Sequence, residues 1–196
     1  MNQYVRLIED LKTVPAVFED RQFLETLTSS LNSLDLQGRQ ALFYGSASSF
    51  LEVNLLNQSR ANGFNLRVTN AYIPKKADLA PSSYDLIISS NYLENAGFGL
   101  NGERIDSDLD LTEMQRIRCI LKKGGLFFLY VPVGWDTIHW KQRRIYGRLR
   151  LPILLAGFDI LESYYLGSSL QLTQDLLKYT SFEPSYTNML FVLRKV

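Results

Sequence analysis

Three stretches of this chain bring together side chains able to do chemistry. The first is "GRQALFYGSASSFLEVNLL", residues 38 to 56. A short apolar run, Ala41 to Tyr44, meets Gly45 and a string of small residues, and then Phe50, Val53, Leu55 and Leu56 recur at helical spacing. A strand, a glycine turn and a helix start together make a place where backbone amides hold an anionic group and where a ligand can approach the chain closely. The bland alternative is that Gly45 only ends a strand. The second stretch, "SNYLENAGFGLNGERIDS", carries Glu94, either a proton-transfer group or a loop carboxylate that accepts backbone amides. The third, "VGWDTIHWKQRRIYGRLR", holds Asp136, the sole histidine, His139, and five basic residues among Trp135, Trp140 and Tyr146. Arginines beside aromatic rings suit an anionic or sugar ligand or a nucleic-acid backbone. They equally suit pairing with the acidic stretch "ERIDSDLD", and a histidine between Ile138 and Trp140 is either catalytic or a bystander.

Composition narrows these choices. With 21 basic against 20 acidic residues in 196, the net charge of +1 gives no bulk attraction for a polyanion, so nucleic acid is not the expected partner. One cysteine and one histidine exclude an intrachain disulfide and a multi-cysteine metal site, and no metal is expected. The first twenty residues hold no apolar segment of signal-peptide length, and "GGLFFLYVPVGW" and "LPILLAGF" fall short of a membrane span. The expectation is one domain over residues 1–196, soluble and cytoplasmic, with no oligomeric state legible.

Elements able to position the three stretches follow from periodicity. Phe18, Phe23, Leu24, Leu27, Leu31 and Leu34 share one helical face, so residues 1–37 form a helical preface. Residues 41–44, "NLRVTNAYI", "YDLIIS" and "LFFLYVP" read as buried strands, with helices over 48–61 and from about Ser107 to the lysines at 122 and 123. Ser107 with Asp110 has the spacing of a capping box, and Gly124 is placed to stop the helix. "FDILESYY" and "NMLFVLRKV" add two strands that can pair antiparallel at one edge. This alternation predicts a mainly parallel sheet with helices on both faces. Its ligand crevice then lies beyond the carboxyl ends of the strands, where all three chemical stretches fall. Only about a dozen residues, "YIPKKADLAPSS", join the second strand to the third, too few for a crossover helix and strand, so the sheet is trimmed there.

"YDLIISSNYLENAGFG", "LKKGGLFFLYVPVG" and "RRIYGRLRLPILLAGFDIL", in that order, resemble the family called domain of unknown function two-six-eight, which is itself similar to class I S-adenosylmethionine-dependent methyltransferases. The resemblance implies a Rossmann-like methyltransferase fold and S-adenosylmethionine as cofactor. It implies that Gly45, Ser46, Glu52, Asn70 and Ser90 face that cofactor. Glu94, Asp136, His139 and Tyr146 would then stand beside the reacting methyl group, with Arg144 and Trp135 on the acceptor, a sugar or other small-molecule hydroxyl. The chain departs from the family pattern at three ligand-facing places. Asn70 stands where an acidic residue accepts the ribose hydroxyls, Asn95 replaces a histidine after Glu94, and Gln142 and Arg143 occupy the place of a histidine before "RIYG". An amide lacks the charge that strengthens such hydrogen bonds and cannot act as a base near neutral pH. Two readings therefore stand: a working small-molecule methyltransferase, or a non-catalytic module of the same fold. A dinucleotide oxidoreductase ranks last, lacking both the glycine triplet and the acidic partner.

Overall fold

The computed structural model describes residues 15–45, 49–70, 80–100, 103–166 and 186–196. Its elements in chain order are α1 (Pro15–Asn32), β1 (Gln40–Gly45), α2 (Ser49–Asn62), β2 (Asn65–Asn70) and β3 (Tyr84–Ser90), then a 3-10 turn at Leu93–Asn95. There follow α3 (Leu109–Ile120), β4 (Leu121–Val133), β5 (Thr137–His139), β6 (Arg143–Ile145), α4 (Arg150–Leu154), β7 (Phe158–Leu166) and β8 (Thr187–Lys195).

Six strands form one sheet in the order β2-β1-β3-β4-β8-β7. The first four run parallel, and β8 lies antiparallel to both β4 and β7. Side chains alternate across the strands and so supply two cores. Ala41, Phe43, Ile88, Phe128 and Tyr130 pack with Phe23, Leu27 and Leu31 of α1 and Leu51 and Leu55 of α2. Leu42, Tyr44, Ile87, Phe127 and Leu129 pack on the other face with Met114 and Ile117 of α3 and Leu151 and Leu154 of α4. The sheet is therefore covered on both sides, as apolar parallel strands require. The mainly parallel sheet and the antiparallel C-terminal pair agree with the sequence pattern, and β2 is the outermost strand among the described residues. The chain leaves β1 to one side through α2 and returns on the other at β3, so the order reverses between β1 and β3. That reversal is where an open α/β sheet leaves a crevice.

Three local expectations are corrected. No side-chain cap forms at the start of α3, because the Asp110 carboxylate turns inward to Arg150 and not back to the helix amides. That helix stops at Ile120 with Leu121 already extended, ahead of the two lysines. Lys122 Nζ then sits 2.9 Å from both carboxylate oxygens of Asp85 and takes no part in ending the helix. Burial would raise the Asp85 carboxyl, but the Gln40 amide, Lys122 and Arg39 together hold it below its ordinary range. Gly124, at φ +73°, belongs to an irregular stretch of β4 lying between the pairs Tyr84–Leu121 and Leu86–Leu126. The hairpin of β5 and β6 was not expected from periodicity. All three residues of β5 are exposed, so no apolar alternation marks it.

Candidate functional site

The carboxyl ends of β2, β1 and β3 lie side by side. Asn70 is the register partner of Gly45, and Gly45 backs directly on Ser90. A Cβ on Gly45 would stand 2.4 Å from the Ser90 carbonyl oxygen, so glycine is required here by the approach of two strands. Gly45→Ala is expected to cost about 2 kcal/mol through this backbone clash, read as a lowered denaturant midpoint with unchanged slope. A variant as stable as the parent would show that β1 and β3 are not packed this way.

Past Ser90 the chain turns through Asn91, at φ 53°, a left-handed conformation that asparagine tolerates better than most residues. The 3-10 turn that follows buries Leu93 and Glu94. Glu94 is 6% exposed, and its Oε2 has no hydrogen-bond partner; the same is true of the fully buried Ser90 Oγ. Burial pushes the Glu94 carboxyl up to about 7, against the pull of its own amide, the Arg143 charge and the Tyr92 amide. Two unsatisfied polar atoms at the reversal of strand order are costly to keep, and such groups collect where a ligand or bound water completes them.

Arg144 secures the loop beyond Glu94. It is 1% exposed, and its guanidinium donates to the carbonyls of Ala96, Asp106 (3.3 Å) and Ser107 (3.1 Å). Its Cζ also lies 4.5 Å from the centre of the Phe98 ring, which meets Trp140 of the hairpin edge-on at 5.6 Å. Behind it, Asp110 of α3 accepts Arg150 Nη2 at 2.6 Å, Arg150 Nε at 2.9 Å and the Tyr146 hydroxyl at 3.2 Å. Burial raises the Tyr146 phenol well above its ordinary range, and the charges of Asp110 and Glu94 raise it further. One turn along α3, the buried Glu113 accepts the Tyr44 hydroxyl and Arg116. Burial raises its carboxyl, opposed by the bonds from Tyr44 and Tyr92 and by the Arg116 charge. Sequence reasoning did not single out Asp110 as a core group or Glu113 at all. A signal existed: Asp110, Glu113, Met114 and Ile117 fall on one helical face, so the apolar stripe carries two carboxylates.

The expected site residues thus divide. Gly45, Ser90 and Glu94 gather at the strand ends, with Asn70 beside Gly45 in the ladder. Glu52 lies in the first turn of α2, half-buried. Ser46 lies outside the described residues. Arg144 is turned inward to loop carbonyls, and Tyr146 to Asp110. Asp136 accepts the amides of Gly147 (2.8 Å), Leu149 (2.8 Å) and Arg150 (3.1 Å), which makes it the clamp of the turn into α4. His139 and Trp135 are exposed on and beside β5. Among the described residues no group of His, Cys, Asp and Glu is placed to hold a metal, and no helix is long and apolar enough to cross a membrane.

A sheet of this order, reversed between β1 and β3 and closed by an antiparallel pair, is the Rossmann-like fold of class I S-adenosylmethionine-dependent methyltransferases. The chain belongs to the family described as Caenorhabditis protein of unknown function, DUF268, whose model matches residues 39–196. The match begins after α1 and includes every strand among the described residues. No curated protein sequence matches the chain. Among solved structures it is similar to the [4+2]-cyclase SpnF, at 14% identity and a TM-score of 0.52, over 90% of this chain and 80% of that one. A candidate sarcosine dimethylglycine methyltransferase from Galdieria sulphuraria gives 12% identity and a TM-score of 0.55, over 90% and 84%. A geranyl diphosphate methyltransferase in complex with SAM gives 11% and 0.51, over 88% and 84%. At such identities the likeness is one of fold, and a cyclase among these neighbours shows how little the fold alone says about the reaction.

Proposed function

We propose that this chain is a small-molecule methyltransferase that binds S-adenosylmethionine at the carboxyl ends of β1 and β3. Glu94 would take the proton from an acceptor hydroxyl, on a sugar or another small molecule. The observation that carries this reading is the Glu94 carboxylate, buried at the end of β3 with Oε2 unpartnered and its pKa near 7. A group that exchanges its proton near neutral pH suits general-base work, and a module with no chemistry to do has no use for so costly a buried charge.

The residues present suit the cofactor. Bound there, it supplies a methyl group on a cationic sulfonium. Ser90 Oγ is a buried hydroxyl without a partner, able to donate to or accept from a polar group of the cofactor, and Glu94 Oε2 is left free to face the acceptor hydroxyl. Gly45 and Asn70 lie at the same edge, where the ribose would be held. Alignment of acceptor and methyl carbon can supply several orders of magnitude of rate, so one base is enough.

The alternative, a non-catalytic binding module, draws on the inward engagement of Arg144, Tyr146 and Asp136. Calorimetric titration with S-adenosylmethionine and S-adenosylhomocysteine separates the readings, with thermal unfolding alongside. The expected result is saturable binding of both and a melting midpoint that rises at millimolar ligand, because a ligand of the native state must raise it. Glu94→Gln is expected to retain S-adenosylhomocysteine binding and to lose methyl transfer. If neither ligand binds nor moves the midpoint, the module reading replaces the enzyme.

A further inference from the structure

The end of the molecule formed by β5, β6 and the start of α4 has a surface unlike the rest. Trp135, Ile138, Trp140, Leu149 and Ile153 are each 45% or more exposed, although all fall within one stretch of nineteen residues. The same stretch holds five basic residues and a single acid, Asp136, in a chain whose overall charge is +1. The acid is already engaged with three backbone amides. Arg144 and Arg150 are held by loop carbonyls and by Asp110, whereas Lys141 and Arg148 are exposed and in no ion pair among the described residues. Ile138, Ile145 and Leu149 line a concavity of about 250 Å³ whose charged wall groups, Asp136, Arg144 and Arg150, all have internal partners.

The concavity is poorly equipped to orient a charged small molecule, because its charged groups are taken. The surface around it offers apolar tips with positive charge of one sign around them. The two indoles stand on either side of β5, and Leu149 and Ile153, four residues apart, sit together at the start of α4. Indole rings and branched aliphatic side chains beside unpaired lysine and arginine suit the boundary between lipid headgroups and acyl chains. We propose that this hairpin end docks on the face of an anionic phospholipid bilayer, with Ile138, Leu149 and the two tryptophans entering the interface and Lys141 and Arg148 meeting the headgroups.

The test needs no label, since Trp135 and Trp140 are the only tryptophans in the chain. Mixed vesicles of phosphatidylcholine and phosphatidylserine are expected to shift the tryptophan emission to the blue and to carry the protein with them on flotation. Pure phosphatidylcholine vesicles are expected to do neither, and high salt to reverse the binding. Lys141→Glu with Arg148→Glu, and separately Ile138→Asp with Leu149→Asp, should each weaken vesicle binding by about tenfold or more. All four side chains are exposed, so the melting midpoint should stay within a degree or two and S-adenosylmethionine titration should be unchanged. The proposal is overturned if the emission does not move, if neutral and anionic vesicles bind alike, or if both double variants bind like the parent. Binding of an acidic soluble protein at this patch with no vesicle binding would overturn it too.

Discussion

Glu94→Gln should make the protein more stable at pH 8 by about 3 kcal/mol and, on the proposed function, abolish methyl transfer. The sign follows from linkage. Burial lifts the Glu94 carboxyl from 4.5 in the unfolded chain to about 7 in the folded one. Below pH 4.5 both states hold the proton, and the group costs nothing. Between 4.5 and 7 the unfolded chain releases its proton first, so folding stability falls as pH rises, and above 7 the full penalty persists. At about 1.4 kcal/mol per pH unit, the interval from 4.5 to about 7 gives about 3.5 kcal/mol at high pH and slightly less at pH 8. Glutamine has nearly the same shape, carries no charge and removes the contribution of this one group to the pH dependence. Urea unfolding of parent and variant from pH 4 to pH 9 should show the two curves separating across that window and running parallel above it. If the separation between parent and variant is the same at pH 4 and pH 9, the Glu94 carboxylate is not held in the dry setting described, and the base assignment goes with it. A stabilised, inactive variant is the expected sign of an active-site group kept at a stability cost.

The elements that build the crevice were legible because each carries a pattern that burial on two faces imposes. Phe43 and Tyr44 point to opposite cores, as do Phe127 and Phe128, and a run of apolar residues is the trace this leaves in sequence. The β5–β6 hairpin leaves no such trace. It stands outside the main sheet with β5 wholly exposed, and what fixes it is the Val133–Tyr146 bridge to the end of β4 and the bonds from Arg144 to the Glu94 loop, neither of which leaves an alternation in sequence. Ser107 and Asp110 misled for a different reason. The spacing of a capping box was present, but a charge-assisted bond from Arg150, forty residues away, outcompetes a local bond to a helix amide.

The candidate site divides along the same line. Glu94 and Ser90 could be placed from sequence because they directly follow a strand, and topology decides where a strand ends. That each keeps an oxygen without a partner is a three-dimensional fact no spacing records. Arg144 and Asp136 stood out as chemistry because charged residues in a loop invite that reading. In the fold their charges hold the loops: Arg144 holds the carbonyls beyond Glu94, and Asp136 the amides entering α4. Loops that must present a reactive group at fixed geometry need fastening of this kind, so charge near a site often belongs to its support.

That fastening has one point on which it depends. Asp110 is fully buried and is the acceptor for Arg150 and Tyr146, and its Oδ1 lies 4.0 Å from Nε of the buried Arg144. Asp110→Asn keeps the shape and removes the charge, leaving the Arg144 guanidinium without a counter-charge in an apolar setting. Removing one partner of a buried ion pair typically costs about 3 to 5 kcal/mol, and a loss of that size is expected here. For a chain of this length it corresponds to a fall of about 10 °C in melting midpoint. Arg150 is partly exposed, so Arg150→Gln should cost less than Asp110→Asn, and the double variant less than the sum of the two. Local opening should follow the same route: amides of the 103–107 segment, whose carbonyls at Asp106 and Ser107 Arg144 holds, should exchange faster in Asp110→Asn, while those of β1 and β3 should follow global stability. A loss under about 1 kcal/mol, with unchanged exchange in that segment, would mean that the loop presenting Glu94 is held by something other than this buried carboxylate.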